Sequence, residues 1–299
     1  MSALSLTTKK IAGRQTRLLR GGKPGAAAAL FLHGGVPGAA PFCSGAHIWG
    51  DGLAQFAGEL DVIAPDCPGS GGTDLGDEPL TIDAIGAFAV ALLADCGVTS
   101  VDVVGHDVGG LVGVWLALNH PNTVRSLSIV ASPMSAPVGD SLDDILFAGP
   151  PRPLWSRESQ AWALERISYS HMHIDRTLLD ACVAASEGEP HRKAAESVKS
   201  GAMKSLAASM SRARSLLWET CRNAGVQVPV QAVWASHDPA TTREAGFVLY
   251  DTIAAKQRAA QFHVINRAGS LAFREQPEAF HHIVASFGSG VRDEKARAA

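Results

Sequence analysis

The ten residues Val101–Gly110 constrain this chain more than any other stretch. They read Val-Asp-Val-Val-Gly-His-Asp-Val-Gly-Gly, and a helical pattern continues through Leu111, Val114, Trp115 and Leu118. A β-branched apolar run followed by Gly-x-Asp-x-Gly-Gly and then by helical periodicity predicts a strand, an abrupt turn and a helix. The glycines make the turn possible. A side chain at Gly105 or Gly109 would collide with the neighbouring strand and helix, and the residue between them, Asp107, is held in a strained conformation. The simplest alternative is a glycine-rich turn with Asp107 as an ordinary helix N-cap.

The flanking sequence repeats the theme. Ala29-Leu30-Phe31-Leu32 is a buried strand running into His33-Gly34-Gly35-Val36-Pro37-Gly38. An amphipathic stretch over His47–Leu60 leads to a second strand, Asp61–Asp66, and then to Cys67-Pro68-Gly69-Ser70-Gly71-Gly72-Thr73-Asp74. Strands alternate with helical patterns before Pro133 and again after Val228, the sign of a mostly parallel sheet with helices on both faces. Residues 4–20 predict antiparallel edge strands, and the polar tail Gly288–Ala299 predicts a frayed end.

Residues 134–222 differ in texture: they contain few strand-like runs and many helical ones, with Met210, Ala213, Leu217 and Cys221 on one helix face. The segment reads as a helical cap over the carboxyl edge of the sheet, where α/β proteins bind ligands. The expected division is therefore a core of residues 1–133 and 223–299 with a cap of residues 134–222.

Three motifs in order carry a resemblance: the His33-Gly34 loop, Asp66-x-Pro-Gly-x-Gly-x-x-Asp74, and Gly105-His106-Asp107-x-Gly-Gly. Together they resemble the α/β-hydrolase superfamily, over nearly the whole chain apart from the insert and the ends. The loop is similar to that of carbon–carbon bond hydrolases acting on ring-opened aromatic compounds. The elbow is similar to that of epoxide hydrolases and haloalkane dehalogenases, with Asp107 in the nucleophile position.

The C-terminal third matches as well. The strand Pro229–Trp234 is followed by Asp238, where the resemblance implies the acid of a triad, and Gln261–Asn266 leads to Gly269-Ser270 and Glu275-x-Pro277-Glu278. In the family a histidine follows that glycine; here Ser270 takes its place, either as the natural residue or as an introduced one. The resemblance implies backbone N–H groups of Gly35 and Val108 as an oxyanion hole, and a substrate site that includes His33, Val36, His106, Trp155 and Tyr169.

Asp107 can then act as a nucleophile on saturated carbon, giving an alkyl ester. Epoxide opening needs an acid, and Tyr169 is the tyrosine of the insert. Halide release needs N–H donors, and Val108 stands where a tryptophan serves elsewhere. A carbon–carbon bond hydrolase would lack both its serine and its histidine. Two other classes stay open: proton transfer by Asp107 in an isomerase, cyclase or lyase, and a binding protein that has lost catalysis.

Composition narrows the partners. A chain of 299 residues with 46% hydrophobic and 18% charged residues buries a large core without staples. A net charge of −3 offers no broad basic surface for nucleic acid. No apolar run spans a bilayer, and no signal segment is apparent. The five scattered cysteines read as reduced thiols of a cytoplasmic protein. No cofactor is expected and no metal, because His171-x-His173 alone is not a ligand set. The expected partner is a small molecule, with a homodimer left open.

Overall fold

A computed structural model describes residues 4–23, 25–137 and 143–298. Eight strands form one sheet in the order β1-β2-β4-β3-β5-β6-β7-β8. The ranges are β1 Ser5–Ile11, β2 Arg14–Gly22, β3 Ala28–Leu32, β4 Asp61–Pro65, β5 Val101–His106, β6 Val124–Val130, β7 Val230–Ala235 and β8 Gln261–Ile265. β1 pairs with β2, and β2 with β4, antiparallel, as the N-terminal pattern predicts. All other pairs are parallel.

Eleven α-helices fall among the described residues: α1 Gly52–Ala57, α2 Ile82–Asp95, α3 Val108–Asn119, α4 Asp143–Leu146, α5 Arg157–Arg166, α6 Arg176–Glu187, α7 Glu189–Lys199, α8 Ala202–Asn223, α9 Arg243–Ala254, α10 Ala272–Glu275 and α11 Pro277–Ala298.

β3 and β5 are buried along their whole length. Covered on both faces, β3 reads as an unbroken apolar run and β5 as a β-branched run interrupted by the buried Asp102, rather than as alternating strands. One face packs Leu30, Val103 and Leu127 against Leu111, Val112 and Leu116; the other packs Phe31, Val104 and Val233 against Trp49, Phe56, Phe273 and Phe280. Each such side chain contributes about 1.5–3 kcal/mol when fully buried. The chain leaves β3 toward β4 on one side and returns to β5 on the other. That reversal opens a crevice between the carboxyl ends of β3 and β5.

One expectation needs correction. The tail is not frayed: α11 runs to Ala298, Val291 is buried, and Arg292 binds Asp102 at 2.6 Å. The helical stretch 134–222, of which residues 138–142 lie outside the described part, packs on the core at its end. Leu206, Ala213, Leu217 and Cys221 of α8 join the same apolar cluster as α2 and α3, so the last helix of the insert packs on the sheet's flank.

Candidate active site

The sharp turn after β5 is built by close approach. A Cβ on Gly105 would lie 2.2 Å from the Gly109 carbonyl oxygen, and one on Gly109 would lie 2.2 Å from that of Leu32. With those contacts open to glycine alone, β5 can turn directly into α3. Asp107 takes the strain, with φ of 51° and ψ of −118°. A non-glycine residue there costs about 1–3 kcal/mol, so its surroundings must hold it. Its N–H donates to Val130 O at 3.0 Å, and its carbonyl accepts from Gly110 N–H at 3.0 Å and Ser132 Oγ–H at 2.6 Å. Its side chain makes no capping bond to α3, so the N-cap explanation does not hold. Instead Oδ2 accepts the Gly35 N–H at 2.8 Å.

Asp238 follows β7 and Ser270 follows β8, and the two meet: Ser270 Oγ–H donates to Asp238 Oδ1 at 2.6 Å. The same oxygen accepts from the N–H groups of Ala240 at 2.9 Å and Thr241 at 3.1 Å. Burial, aided by the charge of Asp107, outweighs those bonds and pushes Asp238 up to about 6. The Ser270 loop is tied down from outside. Ser270 N–H donates to Ile167 O at 2.8 Å, and Glu275 accepts the N–H groups of Gly269 and Ser170, each at 2.6 Å.

A cavity of about 560 Å³ opens above these groups. Gly35, Val36, His106, Asp107, Val108, Trp155 and Ser270 line it. The segment between β6 and β7 contributes Phe147, Pro150, Leu154, Trp155, Ile167 and Met203. Those apolar wall residues, and Ser132 beneath the elbow, carry no sequence signal beyond hydrophobicity or small size.

Two residues expected at the substrate are elsewhere. His33 is buried behind the turn: its Nε2 accepts the Cys67 N–H at 2.8 Å and its Nδ1–H donates to Gly34 O at 2.8 Å. Both nitrogens are committed to backbone, so the ring joins the loops after β3 and β4. Tyr169 is half-exposed and stacks on His237 at 4.5 Å, away from the cavity wall. His106 does face the cavity, but its Nε2–H donates to Ser270 O at 3.1 Å and burial pulls it down to about 3. The indole N–H of Trp155 is bound to Ala40 O at 2.9 Å. Among the described residues, no lysine or arginine lines the cavity. Among the described residues, no group of three or more His, Cys, Asp or Glu side chains is placed to hold a metal ion. No described helix is long and apolar enough to cross a membrane.

A twisted sheet with antiparallel strands at one edge, an elbow after its central strand, and an acid and a closing loop after the last two strands define a hydrolase-type α/β protein. Residues 29–283 match the alpha/beta hydrolase family, and the chain belongs to it. It is 27% identical to a pimeloyl-acyl-carrier-protein methyl ester esterase of Neisseria meningitidis serogroup A, over 83% of this chain and 74% of that protein. It is 30% identical to the 2-hydroxymuconate semialdehyde hydrolase of Pseudomonas sp. CF600, over 39% of this chain and 40% of that one. Among solved structures it is similar to the 2-hydroxy-6-oxo-6-phenylhexa-2,4-dienoate hydrolase of Rhodococcus sp. RHA1, with TM-score 0.76, 17% identity, and 96% of this chain and 99% of that one covered. The last likeness is one of fold.

Proposed function

We propose that this hydrolase uses Asp107 as a nucleophile on an electrophilic saturated carbon of a small, neutral, largely apolar molecule, an epoxide being the favoured class. The carrying observation is the 2.8 Å bond from Gly35 N–H to Asp107 Oδ2. The donor that would hold an oxyanion already holds one carboxylate oxygen. It fixes the direction from which Oδ1 attacks. The resulting alkyl ester keeps its carbonyl oxygen in the same place, where Gly35 N–H, joined by Val108 N–H, stabilises the anion formed when water adds. The helices between β6 and β7 act as a cap over this site.

The lining narrows the substrate. A dienoate, as in the name of the Rhodococcus enzyme, would bring a carboxylate into an apolar cavity that has Asp107 and no cation. It would be repelled and left unpaired. A departing halide would find the Trp155 N–H already taken. An opening epoxide finds no tyrosine hydroxyl on the wall, so its oxygen takes a proton from water in the cavity. Epoxides activated by an aryl or vinyl substituent, whose ring opens with least acid assistance, should react fastest.

The missing wall acid is also what favours the second reading, proton transfer by Asp107 with no covalent step. One experiment separates them. The protein is incubated with styrene oxide in labelled water and followed by intact mass and peptide mapping. The ester reading expects an adduct of one epoxide on Asp107, label entering Asp107 before product, and a loss of at least about 10,000-fold in Asp107→Asn. Product formed with neither adduct nor label at Asp107 would overturn it in favour of proton transfer.

A further inference from the structure

Ester hydrolysis needs a base, and the family's histidine position holds a serine. The remaining histidines near the turn are poor substitutes. His33 has both nitrogens bound to backbone. His106 is held near 3 by burial, with its Nε2–H committed to Ser270 O. His237 is exposed, with Nδ1 on Ser236 Oγ at 2.6 Å.

We propose that Ser270 and Asp238 together form the proton acceptor of the hydrolytic step: water at Ser270 Oγ gives a proton to that oxygen while the Ser270 hydroxyl proton passes to Asp238 Oδ1. This inference rests on the Asp107-ester reading and deepens it. A serine hydroxyl donates and accepts at once. It stays neutral through such a transfer, so its own weak basicity does not limit the step. The acceptor is a carboxylate 2.6 Å away, a short O–H···O contact of the charge-assisted kind. The Ala240 and Thr241 N–H groups fix that oxygen, while Ile167 O and the His106 ring fix the serine backbone, so the axis of transfer is preset. Oδ2 of Asp238 is buried with no hydrogen-bond donor among the described residues, which leaves the carboxylate under-solvated and a stronger base. Burial is the first cause that raises its proton affinity, and it persists when Asp107 is esterified and carries no charge.

The protons balance over the cycle. Opening of the epoxide by Asp107 consumes one proton from water. In hydrolysis, the water oxygen bonds to the ester carbonyl carbon as its proton moves through Ser270 to Asp238. Collapse breaks the bond between that carbon and the alkoxy oxygen, and the departing alkoxide takes the proton back by the same route. Asp107 is left as the acid and releases its proton to solvent, returning the one consumed at opening.

The test follows the decay of the ester preformed from styrene oxide. Ser270→Ala should form the ester at the wild-type rate and hydrolyse it about 100-fold more slowly; Ser270→Thr, which keeps the hydroxyl, should decay near the wild-type rate. Asp238→Asn should be as slow as Ser270→Ala. It should also lose the limb in which wild-type decay rises with pH as Asp238 ionises. Mixed light and heavy water should give a bowed proton inventory in the wild type, where two protons move, and a linear one in Ser270→Ala. Undiminished ester formation certifies that each variant has a folded site. An ester that decays in Ser270→Ala at the wild-type rate, with the same pH limb, would overturn the relay and leave the ester reading standing. Product formation without any ester in the wild type would overturn the ester reading, and the relay with it.

Discussion

Asp238 shows how one buried group couples chemistry to stability. Its proton affinity in the fold is raised from 3.8 to about 6. A group with a raised folded pKa favours the folded state through the bound proton. That contribution is fully present below pH 3.8 and is lost as pH rises through about 6. The loss is about 3 kcal/mol for a shift of this size. Asp238→Asn removes the titration while keeping an oxygen for Ser270, Ala240 and Thr241. Urea unfolding at a series of pH values should therefore show the variant gaining about 3 kcal/mol on the wild type between pH 4 and pH 8, whatever constant offset the amide brings. A constant difference over that range would mean that solvent reaches the carboxylate. Motif spacing was enough to bring Asp107, Asp238 and Ser270 to one place, because each directly follows a strand and strand ends share an edge. It said nothing of side-chain direction in loops. His33 and Tyr169 lie at the right positions along the chain, yet one ring is locked to backbone and the other turns toward His237.

Elements with strong patterning were legible for a plain reason: strands covered on both faces are largely apolar, and the helices between them carry an apolar side. The C-terminal helix was not, because its last turns are polar on every exposed side and are anchored by an ion pair with a residue far away in sequence. Arg292 reaches Asp102, which also takes Arg125 at 2.8 Å and Ser126 Oγ at 2.7 Å. Asp102 is buried at the start of β5, so this network fastens α11 to the strand that ends at Asp107. Arg292→Ala leaves Arg125 in place and removes one charge-assisted bond, at about 1.5–3 kcal/mol. Urea denaturation at neutral pH should show that loss, and truncation after Gly288, which also removes Val291, should lose more. An unchanged midpoint in both would mean that the tail is dispensable. The apolar face of α8 lies against α2 and α3, a distant contact that periodicity alone does not reveal.

The molecule as a whole is set to fail in acid. His33 and His106 are buried and His47 is half-buried, and desolvation lowers all three; His47 is lowered to about 4 and His106 to about 3. A histidine with a lowered folded pKa contributes stability that is present above its unfolded value of 6.5 and is lost as pH falls toward the folded value. Each adds up to about 1.4 kcal/mol per pH unit to the slope below that point. Asp238 works in the opposite direction over part of the same range, so these four groups leave a net slope of roughly two protons, or about 3 kcal/mol per unit, to which His173, also lowered to about 4 by burial, adds. Against a total stability of about 5–15 kcal/mol, this consumes most of the reserve within a few units. Stability from urea unfolding should be flat between pH 8 and 7 and fall steeply below about 6.5. His106→Gln should make that fall shallower by about one proton, because the amide cannot titrate. A wild-type profile that stays flat down to about pH 4.5 would show that these rings take up protons without unfolding. The interior behind the Asp107 turn would then be open to solvent.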